Sequence, residues 1–278
     1  MEAPPSAPRP EVGARRRRPL NLTRIKSGIV FFVGAITAVG SALTGIGAQT
    51  AFAPMLTWML GFTAEKAQAT ALRYAMLTAF AAAVGAYAAG ATPEAYVSRA
   101  LLLVIGAVIG AILAAPIGVR PGVAAQRKQF LSIGVALTLF VIVQTSHVTP
   151  WDIPYFAAWK AFWQLALLGF VVGGLTQVMG LASGILMVPA LYYLAAFSPM
   201  QAVALTQLVV ALASVLPAAA YTRRGLVDPV YGNWAALGGI LGGLGGGLLL
   251  AHLYPNVILY LFALYGMFLC ARELAGHA

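Results

Sequence analysis

Acidic residues are nearly missing from this chain. Only 7 of its 278 residues are Asp or Glu, against 17 Lys or Arg. All seven (Glu2, Glu11, Glu65, Glu94, Asp152, Asp228 and Glu273) fall in the N-terminal tail, in loops or at the ends of apolar runs. No carboxylate is placed to relay protons or to pair with a cation deep inside a span. The single cysteine, Cys270, excludes an internal disulfide and a thiolate metal cluster. His147, His252 and His277 lie scattered near segment ends without ligand spacing, so neither a metal site nor a cofactor is expected. The same scarcity argues against an enzyme. An intramembrane serine hydrolase needs a base at depth, and Ser183 is offered none.

What fills the chain instead is apolar. With 61% hydrophobic and 9% charged residues and a mean hydropathy of +0.87, it has too little polar surface to coat a soluble globule. It reads as an all-α, polytopic, multi-pass membrane protein. The net charge of +10 would suggest nucleic acid, but seven of the basic residues (Arg9, Arg15, Arg16, Arg17, Arg18, Arg24 and Lys26) precede residue 27 in a Pro-rich segment. Residues 1–26 are therefore expected to be a disordered basic tail that sets topology and touches anionic headgroups of the lipid bilayer; no nucleic acid is expected. The apolar run from Gly28 continues far past a signal-peptide core, which makes it an uncleaved first span.

Ten apolar segments follow, at roughly 27–48, 50–61, 66–90, 96–118, 127–147, 155–182, 184–196, 202–222, 229–252 and 256–274. Most approach the ~20 residues that a spanning helix needs, whereas 50–61 and 184–196 are half-length. Both short segments follow a glycine-rich break and contain a proline: Gly45-Ile46-Gly47-Ala48-Gln49-Thr50 leads to Pro54, and Gly180-Leu181-Ala182-Ser183-Gly184-Ile185 leads to Pro189. At an offset of 135 residues Gly34 falls on Gly169, Gly45 on Gly180, Pro54 on Pro189 and Phe62 on Phe197; after one insertion Thr70 falls on Thr206, Gly106 on Gly242 and Gly110 on Gly246. The chain is thus read as two repeats, 27–147 and 155–275.

Five elements per half, with each short one returning the chain as a thin crossing or a re-entrant arm, would make the halves inverted. Four crossings per half would make them parallel. Loop charge favours the first count, because Lys66, Arg120, Arg127, Lys128, Arg223, Arg224 and Arg272 then all lie inside with both termini. The expectation is two inverted repeats of about ten helical elements in a bacterial cytoplasmic (inner) membrane, N- and C-termini cytoplasmic.

Hydrocarbon offers no hydrogen bonds, so backbone freed by a break must find protein, water or a ligand. Paired broken helices in two halves point to a transporter's midplane site. Polar residues cluster nearby, including Gln49, Thr50, Thr70, Arg73, Thr206 and Gln207. Thr70, Arg73, Tyr74 and Thr78 recur at helical spacing, and Arg73 has no deep acid to neutralise it, which makes it a candidate anion ligand. The expected substrate site therefore comprises the backbone of Gly47, Ala48, Gln49 and Thr50 and of Ser183, Gly184 and Ile185, with Thr70, Arg73, Thr206 and Gln207, around a small anionic substrate.

At these same positions the chain resembles the TauE/SafE sulfite exporters, also called the four-toluene-sulfonate uptake permease family. The resemblance rests on the two breaks with their proline segments, on the Ala67-x-x-Thr70-x-Leu72 element, and on Tyr221-Thr222-Arg223-Arg224-Gly225-Leu226-Val227-Asp228 leading into a Gly-rich helix. It implies a secondary transporter of sulfite, sulfonates or sulfoacetate-like anions, usually exporting. The competing readings are an anion channel and a carrier of another small oxyanion or carboxylate.

Overall fold

The computed structural model describes residues 20–91, 97–114, 123–146, 162–179, 184–195 and 197–275. These are helical, with no strand among the described residues. The first half holds α1 (Leu20–Thr44), α2 (Gln49–Leu60), α3 (Ala64–Ala88), α4 (Val97–Ala114) and α5 (Val123–Ser146). The second holds α6 (Phe162–Met179), α7 (Gly184–Pro189, continued by a π turn over Ala190–Leu194), α8 (Pro199–Ala213), α9 (Val215–Arg223), α10 (Pro229–Leu250) and α11 (Pro255–Ala275). Taking α8 and α9 as one bent helix gives the ten elements the sequence suggests.

Three local departures have local causes. Helix α1 starts at Leu20, inside the segment read as a disordered tail; residues 1–19 lie outside the described residues. The segment 202–222 is split at Ser214, because Pro217 has no N–H to offer the Ala213 carbonyl. The short elements are distorted by their repeat-related prolines. Pro54 cannot donate to the Thr50 carbonyl nor Pro189 to that of Ile185, and α7 widens into its π turn directly after Pro189.

Helix starts repeat as well. Thr63 caps α3 by accepting the Lys66 N–H at 3.4 Å, and its repeat mate Ser198 caps α8 by accepting that of Gln201 at 3.3 Å. The Gln201 side chain reaches back to the Ser198 N–H at 3.0 Å, completing a capping box.

The outer surface is apolar as well as the core, and a few polar residues lie buried. Trp58 is 82% exposed, Ile36 72% and Phe32 66%, while Thr70, Thr206 and Gln207 are buried. Apolar side chains on the outside and polar ones within suit a protein whose solvent is lipid. Among the described residues, five helices are long and apolar enough to cross a membrane: Arg24–Thr44, Ala64–Ala88, Pro199–Arg223, Pro229–Leu250 and Pro255–Arg272. This is a multi-pass membrane protein.

Glycine sets how the helices meet. Helix α10 carries two glycine rows at four-residue spacing. Gly238, Gly242 and Gly246 lie against Phe31, Ala35 and Val39 of α1, and Gly239, Gly243 and Gly247 against Tyr74, Thr78 and Ala82 of α3. A Cβ at most of these positions would overlap neighbouring backbone, so the rows permit approaches that alanine would not. The repeat-related pair is built the same way: Gly106 and Gly110 of α4 lie against Ala166 and Phe170 of α6, while Gly169 and Gly173 of α6 lie against Leu103 and Ala107 of α4. Each half's first helix therefore packs on the other half's fourth.

These contacts also fix direction. Residues rise together along α1, α3 and α10, so all three run parallel, and the short α2 must carry the chain back between α1 and α3. Gly134 of α5 meets Cys270 of α11 while Gly266 of α11 meets Thr138 of α5, so these repeat mates run antiparallel.

Candidate functional site

The break after α1 is closed by a small set of polar contacts. Gly45, at φ +76°, takes a backbone conformation that glycine adopts without strain, and its N–H donates to the Ser41 carbonyl at 2.8 Å. Thr44 turns its hydroxyl onto the Gly40 carbonyl at 2.7 Å and accepts the Ile46 N–H at 3.3 Å. Helix α2 then starts at Gln49 behind Ala48, with no side-chain cap.

The last residues of the second break come directly against the first; residues 180–183 lie outside the described residues. Gly184, the first residue of α7, lies on the Gly45 carbonyl and the Ile46 Cα so closely that no Cβ would fit. Val188 of α7 and Val203 of α8 flank Gly45, and Ile185 lies against Gly134 of α5. Gln207 of α8 closes the group: its Nε2 donates to the Ser41 carbonyl, the same oxygen that holds Gly45, and approaches Ser41 Oγ at 3.3 Å.

Three buried polar atoms in this region have no hydrogen-bond partner among the described residues. They are Gln49 Oε1, Gln207 Oε1 and the Tyr265 hydroxyl of α11, whose ring lies against Gly40 one turn before the break. Buried polar atoms are normally hydrogen-bonded. Two amides and a phenol can together accept and donate; the Gln49 amide presents an N–H₂ in place of its oxygen by turning over, whereas that of Gln207 is held by the Ser41 carbonyl.

The structure thus brings together Gly47, Ala48, Gln49, Thr50, Gly184, Ile185 and Gln207, all buried. Ser183 lies outside the described residues. Thr206, beside Gln207, spends its proton on the Ala202 carbonyl at 2.7 Å. Two expected residues are elsewhere. The Thr70 hydroxyl accepts the Asp228 N–H at 3.1 Å, on the loop that leads into α10. Arg73 Nη2 donates to Asn233 Oδ1 at 3.2 Å on the exposed side of that helix.

Asn233 precedes by two residues the Ala235 on which Gly34 packs, and Gly45 is eleven residues further along α1, on the order of 16 Å. Arg73 therefore does not reach the breaks in this conformation. The reason is angular: at ~100° per residue Tyr74 and Thr78 lie to one side of Thr70 and Arg73 about 60° to the other, so the stripe is divided between a buried face and the outer edge.

The chain matches the profile of the family described as sulfite exporter TauE/SafE over residues 7–145 and 165–277. It belongs to that family. Comparison with curated proteins and with solved structures gave no significant match. Membership in the TauE/SafE family makes the chain one of a transporter family whose cargo is sulfite and related sulfur anions, and it directs the reading of the two breaks toward anion passage.

Ser41 and Tyr265 did not stand out in the sequence. Ser41 carries one small signal, its place one turn before Gly45. Tyr265 is one of 11 tyrosines and only the packing of α11 on α1 sets it apart.

Proposed function

We propose that this protein exports a small sulfur oxyanion, sulfite or a sulfonate such as sulfoacetate, across the bacterial inner membrane by alternating access, from a site where the two breaks meet. The observation that carries this is the contact of Gly184 with Gly45 and Ile46 beside unpartnered Gln49, Gln207 and Tyr265 groups. Backbone N–H groups at the starts of α2 and α7 supply positive potential; the amides and the phenol complete the oxyanion's shell.

Inversion of the repeats is supported by the antiparallel α5 and α11 and by the return of the chain through α2. The cytoplasmic end is the one that gathers Lys26 and Lys66, with Arg223 and Arg224 a few residues before Asp228. Between that end and the breaks, Phe52 and Leu56 of α2 pack on Val30, Tyr74, Tyr231 and Ala235. This apolar plug closes the inward path here. Helix α2, which lacks a hydrogen bond at Pro54 and is ended by Gly61 at φ +65°, is the element suited to swing aside.

The test is a thermal-unfolding screen of purified protein against sulfite, sulfate, thiosulfate, sulfoacetate, taurine and carboxylates, since a ligand stabilises only what it binds folded. Stabilisation by sulfur oxyanions is expected. Stabilisation by carboxylates alone would favour the broader oxyanion reading.

A further inference from the structure

A second polar feature lies away from the breaks. A cavity of about 310 Å³ opens at the end of the bundle where Lys26, Gly61, Thr63, Lys66, Asp228 and Tyr231 converge. At roughly 30 Å³ per water it has room for a small oxyanion with part of its hydration shell.

The cavity's charge is unevenly committed. Lys66 Nζ donates to Asp228 Oδ2 at 2.8 Å and lies 4.4 Å from the centre of the Phe62 ring. Lys26, half-buried on α1, has no hydrogen bond or ion pair among the described residues. Asp228 is committed twice, its Oδ1 accepting the Val230 and Tyr231 N–H groups at 3.1 Å while Oδ2 holds Lys66. The ion pair spans the two halves of the chain, from the first turn of α3 to the loop before α10, and the apolar plug of Phe52, Leu56 and Tyr74 lies just beyond it.

We propose that this cavity is the loading vestibule for the substrate anion: Lys26 attracts it, and on arrival it takes Lys66 from Asp228. Losing Asp228 loosens the tie between the first turn of α3 and the second half, which frees α2, joined to that turn, to move. The inference rests on the anion-export reading above. Its ligand class is a small oxyanion; the phosphate of an anionic lipid headgroup has the same chemistry and is separated by the experiment.

The experiment measures sulfite flux in proteoliposomes for wild type, Lys26→Gln, Lys66→Gln and Asp228→Asn. Asparagine keeps the oxygen that caps α10 and so leaves the helix start intact. Lys26→Gln and Lys66→Gln should raise KM about three- to tenfold at low ionic strength, an effect that shrinks with salt. Asp228→Asn should lower KM, because the carboxylate that competes for Lys66 is gone. A merely structural bridge would move Lys66→Gln and Asp228→Asn the same way, and that result overturns the proposal.

Vesicles of phosphatidylcholine alone and with phosphatidylglycerol separate the sources. A Lys26→Gln effect seen only with phosphatidylglycerol assigns the lysine to lipid and also overturns it. Absence of wild-type flux would sink the export reading itself. In that case the thermal shift produced by sulfite decides the vestibule: its reduction in both lysine variants supports the assignment, and an equal shift in all four proteins refutes it.

Discussion

Replacing Gly184 with alanine probes the contact on which the site is built. An added Cβ would overlap the Gly45 carbonyl and crowd the Ile46 Cα. Both are backbone, so no side-chain rotation relieves the clash and α7 must move off the end of α1. Overpacking typically costs about 1–3 kcal/mol, and the absence of any flexible neighbour puts this case near the upper end, about 3 kcal/mol. Gly245→Ala is the matched control. Nothing lies within 4 Å of a Cβ there, and alanine in a helix interior is favoured over glycine by ~1 kcal/mol. The two glycine-to-alanine changes should therefore differ in sign, by roughly 4 kcal/mol in denaturant unfolding of detergent-purified protein. Gly184→Ala should also lose sulfite flux, because it moves the start of α7 off the end of α1, where the proposed site lies. If Gly184→Ala is as stable and as active as Gly245→Ala, the breaks do not meet as described.

Four further outcomes follow from the same geometry. Gln207→Leu keeps the volume but removes the amide on the Ser41 carbonyl, and should cut flux tenfold or more while costing only about 1 kcal/mol of stability, read from transport and unfolding in parallel. Tyr265→Phe removes only the unpartnered hydroxyl, so unfolding should be unchanged within ~0.5 kcal/mol while sulfite affinity falls in the thermal-shift assay. Tyr74→Phe is its opposite: that hydroxyl donates to the Gly34 carbonyl at 2.6 Å, and its loss should cost about 1–2 kcal/mol of stability. Arg73→Gln, whose guanidinium faces Asn233 on the outside, should transport sulfite with KM within about twofold of wild type.

Much of the fold was legible in the sequence because membrane segments declare themselves by length and apolarity. The ten segments and the two half-length elements follow from spacing and residue type. The direction of α2 was not fixed by its own twelve residues. It had to be weighed through loop charge, and the parallel course of α1, α3 and α10 supplies it from packing. The site was half legible. Gly45, Gly184, Gln49 and Gln207 lie where repeat and breaks point. Arg73 was drawn in by charge and helical spacing, yet one step of ~100° separates a buried face from an edge, and which residues take each side depends on neighbours that are remote in the chain. The Lys66–Asp228 pair, 162 residues apart, and the Tyr265 hydroxyl depend on such neighbours entirely.

The seven acids also frame the energetics. No Asp or Glu stands in the sequence of either break, so export as proposed needs no carboxylate proton relay, and an inside-negative membrane potential favours anion exit by about 2.3 kcal/mol per charge per 100 mV.

The most direct measurement of the central claim is counterflow: proteoliposomes loaded with excess unlabelled sulfite and diluted into a trace of radiolabelled sulfite. A carrier whose site between the breaks faces one side at a time must show transient uphill accumulation of label, saturable in sulfite and absent in Gly184→Ala. Linear, non-saturating equilibration without overshoot would contradict alternating access and indicate an open anion pore.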